Sequence, residues 1–88
     1  MAQFDVYRNP SPRSSRRAPY LLDVQSNLLD AVATCVIIPL VTADSFVPAA
    51  VFNPSIDVLG ENFLLCTAEI TAIRRSQLAL PICSAAGQ

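Results

Sequence analysis

Residues Leu21 to Leu40, LLDVQSNLLDAVATCVIIPL, constrain this chain more than any other stretch. Successive side chains of a strand point to opposite faces, so a strand buries every second residue. Leu22, Val24 and Ser26 alternate with Asp23 and Gln25, which predicts an amphipathic strand over Tyr20 to Ser26. A short polar turn follows, with Leu28 and Leu29 side by side between Asn27 and Asp30. A second strand, Thr34 to Leu40, then closes on a proline. An adjacent leucine pair in a turn tends to leave one leucine outside the core. On the residues alone two arrangements compete: both leucines packed under the turn, marginally favoured, or an apolar contact surface at its tip.

Elsewhere the pattern is of short strands and turns. Residues 2–8 read as a first strand, with Phe4 and Val6 on one face and Gln3, Asp5 and Tyr7 on the other. Asn9 to Pro19, NPSPRSSRRAP, is a loop by composition. Thr42 to Phe52 is ambiguous, since its alanines permit a helical turn that Pro48 interrupts. Ser55 to Leu59 and Asn62 to Thr67 predict a hairpin turning at Leu59 to Asn62. Ile70 to Ile73 begins another strand, and Leu78 to Cys83 is a short apolar piece cut by Pro81. Many short strands without a long helical period favour a mainly β fold, a small antiparallel barrel-like sheet. With seven prolines and only two glycines, strands are expected to end at prolines.

Eighty-eight residues predict one domain, residues 1–88, of marginal stability. A 52% hydrophobic content against 15% charged supplies a core and argues against disorder. The net charge of −1 is unevenly placed. Residues 1–20 hold four arginines against Asp5, a net of +3, and residues 21–88 hold two arginines against six acids, a net of −4. An overall acidic chain offers no general attraction to phosphate backbones, so no direct nucleic-acid binding is expected. Arg13, Arg16 and Arg17 are either a solvated charged loop or a seat for an acidic peptide.

Little in the sequence suits catalysis, a cofactor or a metal. There is no histidine, and Cys35, Cys66 and Cys83 form no CxxC pair. The cysteines in apolar strands, Cys35 and Cys66, read as small buried hydrophobes, which fits a reducing, cytoplasmic setting. Gly60 and Gly87 are too far apart for a phosphate loop. The longest uncharged apolar run, Ala31 to Ala43, contains Pro39 and is too short for a membrane span of about 20 residues. No signal peptide is expected, because Asp5 and Arg8 interrupt the opening.

The segment DVQSNLLD followed by VIIPL resembles the centre of the CcdB toxin family. Gln3-Phe4-Asp5-Val6-Tyr7 matches that family's opening, and Asn53 to Val58 and Glu69 to Ile73 follow in the right order. The resemblance implies an SH3-like barrel of the CcdB/MazF type that forms a homodimer. It implies a toxin of a type II toxin–antitoxin system, used in plasmid maintenance, that needs no cofactor and is not an enzyme. Such a toxin binds the A subunit of DNA gyrase and traps the cleaved DNA complex. Leu28 and Leu29 would face gyrase, with Phe4, which reads as core, as a support for that face. Arg13, Arg16 and Arg17 would meet the acidic tail of a CcdA-like antitoxin.

Family members continue into a C-terminal helix that engages gyrase most directly, whereas this sequence stops at Ala85-Ala86-Gly87-Gln88. The expectation is therefore a truncated domain with the helix absent and gyrase inhibition weakened or lost. One alternative is an inactive antitoxin-binding remnant. Another is a MazF-like ribonuclease toxin, with Arg74, Arg75 and Ser76 near Thr71 stabilising a cleaving phosphate.

Overall fold

The computed structural model describes residues 3–29, 31–42 and 54–87. The ambiguous stretch from Thr42 onward, with Pro48, and the turn residue Asp30 lie outside the described residues except for Thr42 itself. Among the described residues seven strands form one antiparallel sheet: β1 (Asp5–Arg8), β2 (Tyr20–Asp23), β3 (Thr34–Thr42), β4 (Ser55–Val58), β5 (Glu61–Leu65), β6 (Thr71–Arg74) and β7 (Cys83–Ser84). Their order is β4-β5-β3-β2-β1-β7, with β6 also pairing to β3. Short 3-10 turns occupy Asn27–Leu29, Thr67–Glu69 and Arg75–Gln77, and no α-helix occurs among the described residues.

The sheet curls until its two ends share one core. Val6, Leu22, Leu40, Val58, Phe63 and Ala85 form a single buried cluster, uniting β4 at one end with the residue after β7 at the other. Tyr20 and Phe63 meet edge to face within it, ring centroids 5.2 Å apart. The result is a nearly closed, mainly β barrel, consistent with the small SH3-like barrel expected.

The opposite face of the central strands is covered too. Ala18 of the arginine-rich loop packs on Val41 and Cys66, while Ile73 and Leu78 pack on Leu21, Cys35 and Ile37. Strands buried on both faces read as continuous apolar runs rather than alternating ones, which is why β3 is CVIIPLV. The same burial explains β1. Phe4 lies outside the strand, and Val6 and Tyr7, on opposite faces, are both fully buried. Cys35 and Cys66 are buried, as the sequence suggests, and Cys83 is half-buried.

Pro39 does not end its strand, contrary to expectation. β3 pairs with β6 through Thr34 to Ile37 and with β5 through Leu40 to Thr42, so Pro39 falls where the partner changes. The Pro39 carbonyl accepts from the Cys66 amide at 2.9 Å on that side. A missing N–H is tolerated there because no ladder donor is needed in the gap. The β4–β5 hairpin turns on Leu59 and Gly60, with φ +53° and +89°. Positive φ at both central residues is the primed turn that matches strand twist, and Gly60 supplies one of them without steric cost.

Candidate functional site

The DVQS segment turns out to be a scaffold for the loop that follows it. Asp23 and Gln25 are buried, 2% and 7% exposed, instead of lining a solvent face as the alternation suggests. Each has a fixed task. The Asp23 carboxylate accepts from the Gln25 amide at 2.9 Å, bending the chain out of β2. The Gln25 side chain accepts from the Val36 amide at 3.0 Å and donates to the Leu29 and Thr34 carbonyls at 3.2 and 3.1 Å. Ser26 then caps the 3-10 turn, its Oγ accepting from the Leu28 amide at 3.2 Å and its carbonyl from the Leu29 amide at 2.9 Å.

From the other side, Arg75 reaches across the turn. Its Nε donates to the Val32 carbonyl at 2.8 Å, its Nη2 to the Leu29 carbonyl at 3.3 Å, and its backbone amide to the Ala33 carbonyl at 2.9 Å. The leucine pair does not pack under the turn. Leu28 is 94% exposed and Leu29 48%, with Val32 of the same loop at 43%. The 3-10 turn buries none of its residues, so its shape comes from polar bonds instead of apolar packing.

Phe4 also departs from the core reading. It is 40% exposed and adopts φ +72°, a strained backbone for an aromatic residue. Bonds on both sides hold it: its amide donates to the Asp23 carbonyl at 2.6 Å, and its carbonyl accepts from the Ala85 amide at 2.8 Å. The neighbouring Gln3 amide donates to the Asn27 side chain at 2.7 Å. Phe4 thus stands beside the segment that leads into the leucine turn.

The arginine-rich loop is ordered by Asn9. Its amide nitrogen donates to Ser14 Oγ at 3.0 Å and the Ala18 carbonyl at 2.8 Å, and its oxygen accepts from the Ser11 amide at 2.9 Å. Arg13, Arg16 and Arg17 are exposed on it. Arg17 is engaged within the chain, forking onto the Glu69 carboxylate at 3.0 and 2.7 Å. That pairing holds the Glu69 carboxyl below its ordinary pKa and raises that of Arg17. Arg17 Nη2 also lies 3.8 Å from the Cys66 sulfur, whose pKa burial pushes upward. The pair helps to line a cavity of about 210 Å³, together with the apolar Leu21, Ile37, Pro39 and Ile73 and the polar Asn9 and Ser14.

The residues of the phosphate-cleaving alternative are split between roles. Thr71 and Arg74 are exposed at the two ends of β6, and Arg75 is bonded to the leucine turn. Tyr7 holds a fully buried hydroxyl with no hydrogen-bond partner. Burial, then the charges of Asp5 and Asp23, push its pKa up to about 12, so it stays neutral at ordinary pH. Among the described residues no group of three or more His, Cys, Asp or Glu could hold a metal ion, and no helix is long and apolar enough to cross a membrane.

Sequence reasoning missed the organisers, Gln25, Arg75, Asn9 and Glu69.

The fold is a small, nearly closed antiparallel barrel that carries an exposed apolar turn and a separate arginine-bearing loop. The family model of the CcdB protein matches residues 3–88, nearly the whole chain. The chain belongs to the CcdB family. Membership supports a toxin of a toxin–antitoxin module. Comparison with curated proteins finds no match.

Proposed function

We propose that this protein is the toxin of a type II toxin–antitoxin module, acting in the cytoplasm as a homodimer that binds the A subunit of DNA gyrase and traps its cleaved DNA complex. The observation that carries the reading is the family match over residues 3–88 together with Leu28, 94% exposed on a turn the molecule holds in place. The mechanism is protein on protein and requires no catalytic group of the toxin's own. Leu28 and Leu29 bury against gyrase, with Phe4 beside them, and each leucine fully removed from water contributes about 1.5–3 kcal/mol before association costs. A CcdA-like antitoxin, through an acidic segment, docks on Arg13, Arg16 and Arg17.

The test is a supercoiling assay with purified gyrase, followed by detection of protein-linked cleaved plasmid. Wild-type protein inhibits supercoiling and accumulates cleaved complex, and Leu28→Asp loses both while remaining folded. Metal-independent cleavage of RNA, abolished by Arg74→Ala, would replace this reading with the ribonuclease one.

A further inference from the structure

Three elements converge on the turn between β2 and β3, although its tip contributes nothing to the core. Gln25 is 7% exposed, and its amide makes three bonds, all to backbone groups of residues 29, 34 and 36. Arg75 brings a second set of donors to the carbonyls of Leu29, Val32 and Ala33. The Leu29 carbonyl alone receives Gln25, Arg75 and the Val32 amide at 3.1 Å. A buried amide is a poor filler for an apolar core unless its bonds specify a shape. Here the shape specified is a loop whose Leu28, Leu29 and Val32 side chains remain in water.

We propose that Gln25 and Arg75 are positioning residues that hold the Leu28 turn in its docking conformation, a role that rests on the gyrase reading of that turn. Gln25 fixes the turn from the core side and Arg75 from the β6 side. A loop already ordered in the free protein loses less freedom when its partner arrives, which favours binding without any added contact. The arrangement also keeps Leu28 from folding back onto the barrel.

Two measurements on the whole chain separate this role from a direct contact and from plain stability. The first is amide hydrogen exchange of the free protein, followed at Leu29 and Val32, whose N–H groups donate within the turn to the Ser26 and Leu29 carbonyls. The second is affinity for the purified gyrase A subunit. Arg75→Ala, a change outside the core, is expected to speed exchange at both amides about tenfold while the β1–β2 ladder stays protected, and to weaken gyrase binding about tenfold. Arg75→Lys retains the charge but cannot span two carbonyls, so it should restore only part of each. Gln25→Met is expected to move both readouts in the same direction.

Unchanged turn exchange in both variants would overturn the proposal, as would a loosened turn with unchanged gyrase affinity. Weakened affinity with wild-type turn exchange would make Arg75 a contact and overturn it as well. Full gyrase affinity in Leu28→Asp would instead sink the gyrase reading of the turn, leaving the exchange data to decide what orders it.

Discussion

The loop between β1 and β2 and the turn between β2 and β3 solve the same problem with opposite surfaces. Each is organised by one amide side chain making three bonds, Asn9 in the first and Gln25 in the second. Gln25 is buried, and the surface it supports is apolar: Leu28, Leu29 and Val32. Asn9 is half-buried, and the surface it supports is cationic: Arg13, Arg16 and Arg17. Hydrophobic contact is not screened by salt and is, if anything, strengthened by salts such as sulfate, whereas exposed charge attraction is screened within roughly 8–10 Å at ordinary ionic strength. One scaffold thus presents two surfaces of opposite character.

The largest difference between the regions should appear in stability. Gln25→Met leaves the Val36 amide and the Thr34 carbonyl without their present partner beside a side chain that is only 7% exposed, while the Leu29 carbonyl keeps Arg75. We expect a loss of about 2–4 kcal/mol, since each unsatisfied buried group costs about 1–3. Asn9→Ala removes as many bonds where water can replace them, and we expect about 1 kcal/mol. Urea unfolding checks both through the midpoint at constant slope. Equal losses would break the comparison by making the turn no more deeply anchored than the loop.

Binding should sharpen the comparison further. An acidic antitoxin segment should bind the double variant Arg13→Ala, Arg16→Ala about tenfold more weakly at low salt, with the difference fading as salt rises. Arg17→Ala alone should matter less, because its guanidinium already grips Glu69 at 2.7 and 3.0 Å. Gyrase binding through Leu28 should show little salt dependence. Calorimetry at two ionic strengths reads all three, and a salt-insensitive loop would remove the arginines from the interface.

The same contrast explains what was legible in the sequence. The loop from Asn9 to Pro19 announced itself by its prolines and serines, because turn chemistry is local. The barrel followed from short strands, and DVQS and VIIPL carried the family. Burial on the second face was not legible, since Ala18, Ile73 and Leu78 reach β2 and β3 from distant parts of the chain. That is why Asp23 and Gln25 looked like a solvent face and Tyr7 like a polar-side residue. Pro39 misled for a related reason: only the switch of partners from β6 to β5 shows that its missing donor falls in a gap. Nor were the bonds from Arg75 to the leucine turn legible, because Arg75 lies 46 residues from Leu29.

The smallest effect concerns the clasp between Arg17 and Glu69. Pairing lowers the folded-state pKa of Glu69 from its ordinary 4.5, the hydrogen bond to Arg17 being the main cause. A depressed carboxyl pKa contributes stability that is fully present above the unfolded value and is lost as pH falls through the folded one. The side chains are 44% and 47% exposed, so solvent and salt screen the pair, and its contribution should be about 0.2–1 kcal/mol. Wild-type protein should therefore exceed Glu69→Gln in stability by that amount at neutral pH. The gap should close progressively as pH drops below about 4.5, and it should shrink at high salt. The neutral bonds of Gln25 to the leucine turn carry no such dependence. A gap that persists under acid would mean that the hydrogen bonds of the neutral carboxyl, not its charge, hold the clasp, and the loop would then be held in the same uncharged way as the turn.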